Sequence, residues 1–159
     1  MAERVDLGAL FEEIVREQLE LFDAVDARLR GELDLLLISL LPMRIIAAHP
    51  ACRVQEVADG MGISVGGASK SVDRVERRGW CRRIANPDDR RSSVLELTEE
   101  GRRMLAAGNA VLEDETRRRV ADPLGAAGLR RFADDLARLR EARRAAAGTQ
   151  PAAGAAARS

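Results

Sequence analysis

Residues 54 to 101 read VQEVADGMGISVGGASKSVDRVERRGWCRRIANPDDRRSSVLELTEEG. Within them, Val54, Val57, Ala58 and Met61 fall at i, i+3, i+4 and i+7, the spacing of one buried helical face. Gly62 ends that helix, because glycine enters the left-handed conformation of a helix exit at little steric cost. Ile63 is placed to plug the corner, and Ser64 to cap the next helix by accepting from a free backbone N–H. The second helix is predicted from about Val65 to Arg78, with Val65, Ala68, Val72 and Val75 turned inward. Gly66, Gly67, Ser69, Lys70, Asp73, Arg74 and Arg77 face elsewhere. Two helices joined by a tight Gly-containing turn describe a helix-turn-helix over about residues 54–78. Its second helix has the chemistry for reading a major groove. Small residues at Ser64, Gly66, Gly67 and Ser69 allow close approach to base edges, while Lys70, Arg74 and Arg77 supply charge for bases or phosphates. Each glycine costs the helix on the order of 1 kcal/mol relative to alanine, so something other than helix propensity favours it. The competing reading is a two-helix corner in an all-α core with a solvated charged face.

The next residues favour the first reading. Gly79 closes the second helix, and Trp80 to Ala85 predicts a strand with Trp80, Arg82 and Ile84 on one side and Cys81, Arg83 and Ala85 on the other. Asn86-Pro87-Asp88-Asp89 is turn chemistry. Val94 to Leu97 returns as a second strand, which gives a two-stranded wing over about residues 80–97 before Thr98 opens another helix. Arg90 and Arg91 at the tip would present guanidiniums to an adjacent minor groove, where A·T-rich DNA concentrates negative potential. Asp89 fits that tip only as the carboxylate that orients an arginine.

EVADGMGIS, SKSVDRVERRGW and above all Asp89-Arg90-Arg91 followed by LELTEEG resemble the MarR (multiple antibiotic resistance regulator) family of winged helix-turn-helix transcriptional regulators. The D-x-R of the wing and the L-T-x-x-G after it match residue for residue. The resemblance implies that Asp89 orients the wing arginine and that Arg91 is the minor-groove finger. It is sharp over about residues 54–101 and architectural over the flanking helices. Two departures stand out: Arg53 replaces a frequent Thr or Ser cap, and Trp80-Cys81 replaces a common aliphatic pair.

Outside this segment, residues 7–29 predict an amphipathic helix with Leu7, Leu10, Phe11, Ile14, Val15, Leu21, Phe22, Val25 and Leu29 inward, broken at Gly31. Asp34 is placed as the N-cap of a nearly all-apolar helix to Ala48, bent or restarted at Pro42. Thr98 with Glu100-Gly101 opens a long helix to about Ala121, which Asp122-Pro123 ends. A Gly-containing link leads to a last helix ending near Ala145, with Leu129, Phe132, Ala133, Leu136 and Leu139 on its apolar face. The first and last helices carry more apolar face than one winged domain can cover. They imply a homodimer in which residues 7–29 and 102–145 are the dimerisation helices. The predicted fold is mainly α with a small α+β wing, one domain over residues 1–145, and a low-complexity, disordered tail over 146–159.

The 159 residues balance 26 Lys and Arg against 26 Asp and Glu, but between Ser64 and Arg91 eight basic residues face four acidic ones, a local excess of +4. DNA binding needs only the local excess. Apart from Lys70 the basic residues are arginines, a compositional habit that makes arginine positions more informative than arginine counts. No segment is apolar enough to span a membrane and the N-terminus lacks a signal-peptide layout, so the expected place is the cytoplasm. No nucleophile elbow, CxxC, HExxH, Walker or GxGxxG pattern occurs, and neither an enzyme, a metal nor a cofactor is expected. Cys52 and Cys81 fit a reducing compartment. Cys81 beside Arg82 and Arg83 opens an alternative, a redox-responsive regulator working through a lowered thiol pKa. A winged module that binds a protein and no DNA is the other. The resemblance further implies a small aromatic or phenolic effector held between the dimerisation helices and the DNA-binding lobe, for which Arg16, Arg44, His49 and Trp80 are the candidates. The partners then expected are double-stranded DNA, a second copy of the chain and this effector.

Overall fold

The computed structural model describes residues 5–85 and 93–149. The order of elements is α1 (Leu7–Leu33), α2 (Leu37–Ala48), α3 (Val54–Met61), α4 (Val65–Arg77), β1 (Cys81–Ala85), β2 (Ser93–Leu97), α5 (Glu99–Thr116), a π-helical turn (Arg117–Ala121) and α6 (Asp122–Thr149). Contacts divide the chain after Thr116 into two compact units. The first contains α1 to α5 and the hairpin, and is a winged helix-turn-helix. The second contains the π-helical turn and α6. None of the described helices is long and apolar enough to cross a membrane.

The core of the first unit is built on α2, whose Leu37, Leu40, Met43 and Ile46 are buried, as its nearly all-apolar sequence requires. Around it lie Val25 and Leu29 of α1, Val57 and Ala58 of α3, Ala68, Val72 and Val75 of α4, Leu95 and Leu97 of β2, and Leu105 and Val111 of α5. α2 and α5 pack closely because Gly108 has no side chain; a Cβ there would sit 2.7 Å from a Leu40 methyl and 2.8 Å from one of Leu35. Charge ties α1 to the same helix. Arg28 Nη1 reaches Asp114 at 2.7 Å and the buried Glu115 at 3.1 Å, and its Nε reaches Glu32 at 2.9 Å. These carboxylates hold the Arg28 pKa above its ordinary value.

Several boundaries differ from the sequence expectation. α1 runs through Gly31 to Leu33, and Asp34 is its C-cap in the left-handed conformation (φ 50°), not the N-cap of α2. A short polar residue tolerates that conformation better than most. The N-terminus of α2 is served instead from α1, where Asp26 Oδ1 accepts from the Leu37 N–H at 2.8 Å. α2 continues through Pro42. Asp122-Pro123 does not end the long helix: α5 gives way to the π-helical turn after Thr116, and α6 starts at Asp122. The break lies at Gly125 (φ 63°, ψ 171°), a conformation essentially restricted to glycine. The last helix extends to Thr149, beyond the expected end near Ala145, and the rest of the tail lies outside the described residues.

Burial along α1 also departs from the expectation. Of the predicted inward face, Val25 and Leu29 are buried and Leu21 and Phe22 are partly so, but Leu7, Leu10, Phe11, Ile14 and Val15 are exposed, Phe11 at 66%, as is Leu19. In the second unit Leu124, Phe132, Leu136 and Leu139 of α6 are likewise exposed.

Candidate nucleic-acid interface

The turn between α3 and α4 is made as its residues dictate. Gly62 takes φ 67°, its N–H bonds the Asp59 carbonyl, and the Ile63 N–H bonds that of Ala58, so the last carbonyls of α3 are satisfied. At the other end of α3 the Glu56 carboxylate accepts from the Arg53 N–H at 2.8 Å, which replaces part of what a Ser or Thr cap would supply. Ser64 caps α4 by accepting from the Gly67 N–H at 3.2 Å. α4 ends at Arg77 by the same device as α3: Gly79, at φ 74°, donates to Glu76 O, and Trp80 donates to Val75 O.

β1 and β2 pair antiparallel with Cys81 opposite Leu97 and Ala85 opposite Ser93. Both outer edges are occupied. The Leu95 N–H of β2 donates to Cys52 O at 2.7 Å, and the Arg83 N–H of β1 donates to the Glu76 carboxylate at 3.2 Å. The L-T-x-x-G segment gains a physical meaning here. Thr98 Oγ1 accepts from the Gly101 N–H at 3.0 Å, capping α5, and donates to Gly79 O at 2.7 Å, which joins the helix start to the end of α4. A Cβ on Gly101 would lie 1.8 Å from the Trp80 carbonyl oxygen, so only glycine allows α5 to start this close to the hairpin.

The faces of α4 are now distinct. Ala68, Ser71, Val72 and Val75 point into the core. Gly66, Lys70 and Arg77 are exposed and Arg74 is partly so. Val65, expected inward, is 49% exposed at the first position of the helix, and Ile63 is exposed beside it, so neither plugs the corner. Among the described residues neither Lys70 nor Arg74 has an acidic partner, while Arg77 is held by its own helix, donating from Nε to Asp73 O at 3.2 Å. Other basic residues of the segment are consumed by ion pairs. Arg78 binds Asp34 at 2.9 Å and lies 4.6 Å over the Trp80 ring, Arg82 binds Glu96 across the hairpin at 2.9 Å, and Arg83 binds both Asp73, at 2.6 Å, and Glu76. The local excess of basic residues therefore overstates the free charge, and what remains on α4 is the Lys70, Arg74 and Arg77 face. Asp89, Arg90 and Arg91 lie outside the described residues.

The effector candidates have separate partners. Arg16 pairs with Glu13 along α1 at 3.1 Å, and Arg44 of α2 donates to the Asn109 side chain of α5. His49 at the end of α2 lies with Nδ1 2.9 Å from Ile45 O, and Trp80 is buried. An open groove of about 410 Å³ is lined by Leu33, Glu100, Arg103, Met104 and Ala107, and by none of the four. Among the described residues no cluster of three His, Cys, Asp or Glu side chains is placed to hold a metal ion.

The thiol chemistry runs opposite to the redox expectation. Cys81 is buried, and burial pushes its thiol up to about 11; Glu76 and Asp73 raise it further and Arg83 only partly offsets them. Burial also pushes Cys52 up to about 11. Arg82, whose proximity in sequence suggested a lowered pKa, is directed to Glu96.

Comparison with known proteins agrees with this architecture. The MarR family model matches residues 39–93, which span most of α2, the helix-turn-helix and β1. An uncharacterized HTH-type transcriptional regulator of Bacillus subtilis (strain 168), YfiV, is 29% identical over 74 residues, covering 46% of this chain and 46% of that protein, so the match spans about half the length of the relative. The repressor CouR bound to a 23-mer DNA duplex superposes with a TM-score of 0.74 at 26% identity, covering 87% of this chain and 99% of CouR. CouR from Rhodococcus jostii RHA1 is also solved with p-coumaroyl-CoA (TM-score 0.70, 24% identity, 82% of this chain and 89% of that one). Sco3205, a MarR family transcriptional regulator from Streptomyces coelicolor in complex with DNA, gives a TM-score of 0.76 at 23% identity, with 96% of this chain and 94% of Sco3205 covered. The segment that matches the MarR family model thus contains the helix-turn-helix, and the fold is that of these regulators.

Proposed function

We propose that the chain is a sequence-specific transcription regulator, a repressor that binds an inverted-repeat operator as a homodimer and is released by a small ligand. The observation that carries this reading is the outward face of α4. Gly66 lets the helix start approach closely, and Lys70 and Arg74 have no acidic partner among the described residues, although most neighbouring arginines do. An unneutralised cationic stripe on the second helix of a helix-turn-helix is suited to the edges and phosphates of a major groove. Ser64, Gly67, Ser69 and Arg77 complete the proposed contact set, with Asp89, Arg90 and Arg91 of the wing assigned by resemblance. The DNA-bound structures of CouR and Sco3205 support the same use of the fold.

Dimerisation is supported by the apolar residues left exposed on α1 and on α6, which a second copy would cover. The ligand step is supported by the CouR complex with p-coumaroyl-CoA. For this chain the effector is a small aromatic or phenolic compound, and the residues assigned to it are Arg16, Arg44, His49 and Trp80, of which Arg44 of α2 and His49, the residue just past its end, are exposed near one another in sequence, as is Arg16 on α1. The reading places the protein in the cytoplasm and assigns it no catalysis. Electrophoretic shift with the DNA upstream of the chain's own coding sequence tests it: a discrete complex, competed by that DNA and not by an unrelated duplex, is the expected result. The protein-interaction alternative predicts no specific complex.

A further inference from the structure

In the sequence Arg83 stands out only as a strand residue and as a basic neighbour of Cys81. In the structure it joins the two parts of the proposed DNA-reading surface. Its guanidinium lies between Asp73, at 2.6 Å, and Glu76, both on one flank of α4, and its backbone N–H donates to the same Glu76 carboxylate at 3.2 Å. Strand and helix are thus held by side chain and main chain at one residue. The planar fork of arginine can serve two carboxylates at once, which a lysine ammonium does with less geometric definition. The contact also fills the free edge of β1, the counterpart of the Leu95 bond to Cys52 O on the edge of β2. Asp73 and Glu76 would otherwise stand unpaired on the helix that carries Lys70 and Arg74.

We infer that Arg83 is a positioning residue for DNA binding: shared between Asp73 and Glu76, it fixes the hairpin against α4, so that helix and wing meet adjacent grooves of one duplex together. This rests on the reading that the chain binds DNA. Arg83 itself touches no DNA in this role. Its effect passes through the spacing of the two elements that do.

The test combines hydrogen exchange of the free protein with operator affinity. In Arg83→Gln, amides of residues 81–85 exchange faster while the amides of Val72 and Val75 keep their protection. Operator affinity falls about tenfold, the size of a typical coupling between contacting groups. Arg83→Lys retains the charge but loses the fork and is also weakened. The decisive variant combines Arg83→Gln with Asp73→Asn and Glu76→Gln. It is one unit more positive than wild type, −1 for the arginine and +2 for the two acids, so charge alone predicts affinity at or above wild type. Positioning predicts that it stays about tenfold weaker. Wild-type affinity in this triple variant or in Arg83→Lys, or unchanged exchange over residues 81–85 in Arg83→Gln, would overturn the inference. A wild-type chain that binds no DNA sinks the functional reading and the DNA role of Arg83 together, and the exchange data then show separately whether the clamp holds the hairpin.

Discussion

Gly66 and Gly101 both lie in helices, without positive φ, yet they are there for opposite reasons. A Cβ on Gly101 would meet the Trp80 carbonyl oxygen at 1.8 Å, whereas one on Gly66 meets nothing within 4 Å. Gly101→Ala is therefore expected to destabilise the fold by about 1–3 kcal/mol through overpacking against backbone. Gly66→Ala should stabilise it by about 0.5–1 kcal/mol, since alanine loses less entropy in a helix. If Gly66 is kept for close approach to DNA, the same substitution weakens operator binding, so thermal melting and binding move in opposite directions. A Gly66→Ala variant that binds as tightly as wild type would remove that explanation. The cysteines give a second residue-scale test. Folding raises each thiol pKa from an ordinary 9.0 to about 11, so the folded state favours the protonated form. The stability this contributes is fully present below pH 9 and is lost as pH rises toward 11. Denaturant unfolding between pH 8 and 11 should show that loss, reduced in Cys81→Ala, and peroxide near neutral pH should leave DNA binding alike in wild type and Cys81→Ser.

The helix-turn-helix was legible because its signals are local. Gly62, Ser64 and Gly79 each act within a few residues of their own position, and α3 and α4 lie where the 3.6-residue period puts them. The contacts missed are those that depend on distant partners. Nothing near Leu37 in sequence indicates that Asp26 caps it, and nothing near Arg83 indicates that it reaches back to Asp73 and Glu76. Gly31 failed as a helix end because Leu33 packs on the core and Arg28 reaches Glu32 across it, which outweighs a glycine cost of about 1 kcal/mol. Val65 was assigned inward because periodicity cannot tell the first turn of a helix, beyond the edge of the core, from its middle. The candidate contact set was legible as residue types on one helix. That most of the nearby arginines are already paired was not. At this scale the proposed roles separate by salt dependence. Arg74→Ala, if it removes a phosphate contact, should weaken operator and random DNA alike and reduce the slope of log K against log salt by ~0.9 per contact in each protomer. Ser69 and Lys70 substitutions should instead lower the ratio of operator to random affinity. At the wing, Asp89→Ala should resemble Arg91→Ala if the carboxylate serves to orient that arginine.

For the molecule as a whole, the proposed homodimer rests on the apolar surface left on α1 and α6. With Leu7 at 74% and Leu139 at 60% exposure, a single chain leaves large side chains in water that a partner copy would cover. Sedimentation at micromolar concentration should report a dimer, and Phe11→Glu should shift it toward monomer and weaken operator binding with it. A two-fold protein implies an inverted repeat with half-site centres about one helical turn, ~10 bp, apart. The central claim, that the outward face of α4 reads a specific duplex, is tested most directly by fluorescence anisotropy with the upstream DNA and with a random duplex of equal length, for wild type and Lys70→Ala over a salt series. Wild type is expected to favour the upstream DNA by at least ~10³-fold, and Lys70→Ala to lose much of that ratio while still melting as a folded protein. Equal affinity of wild type for both duplexes, or an undiminished ratio in Lys70→Ala, would contradict the account.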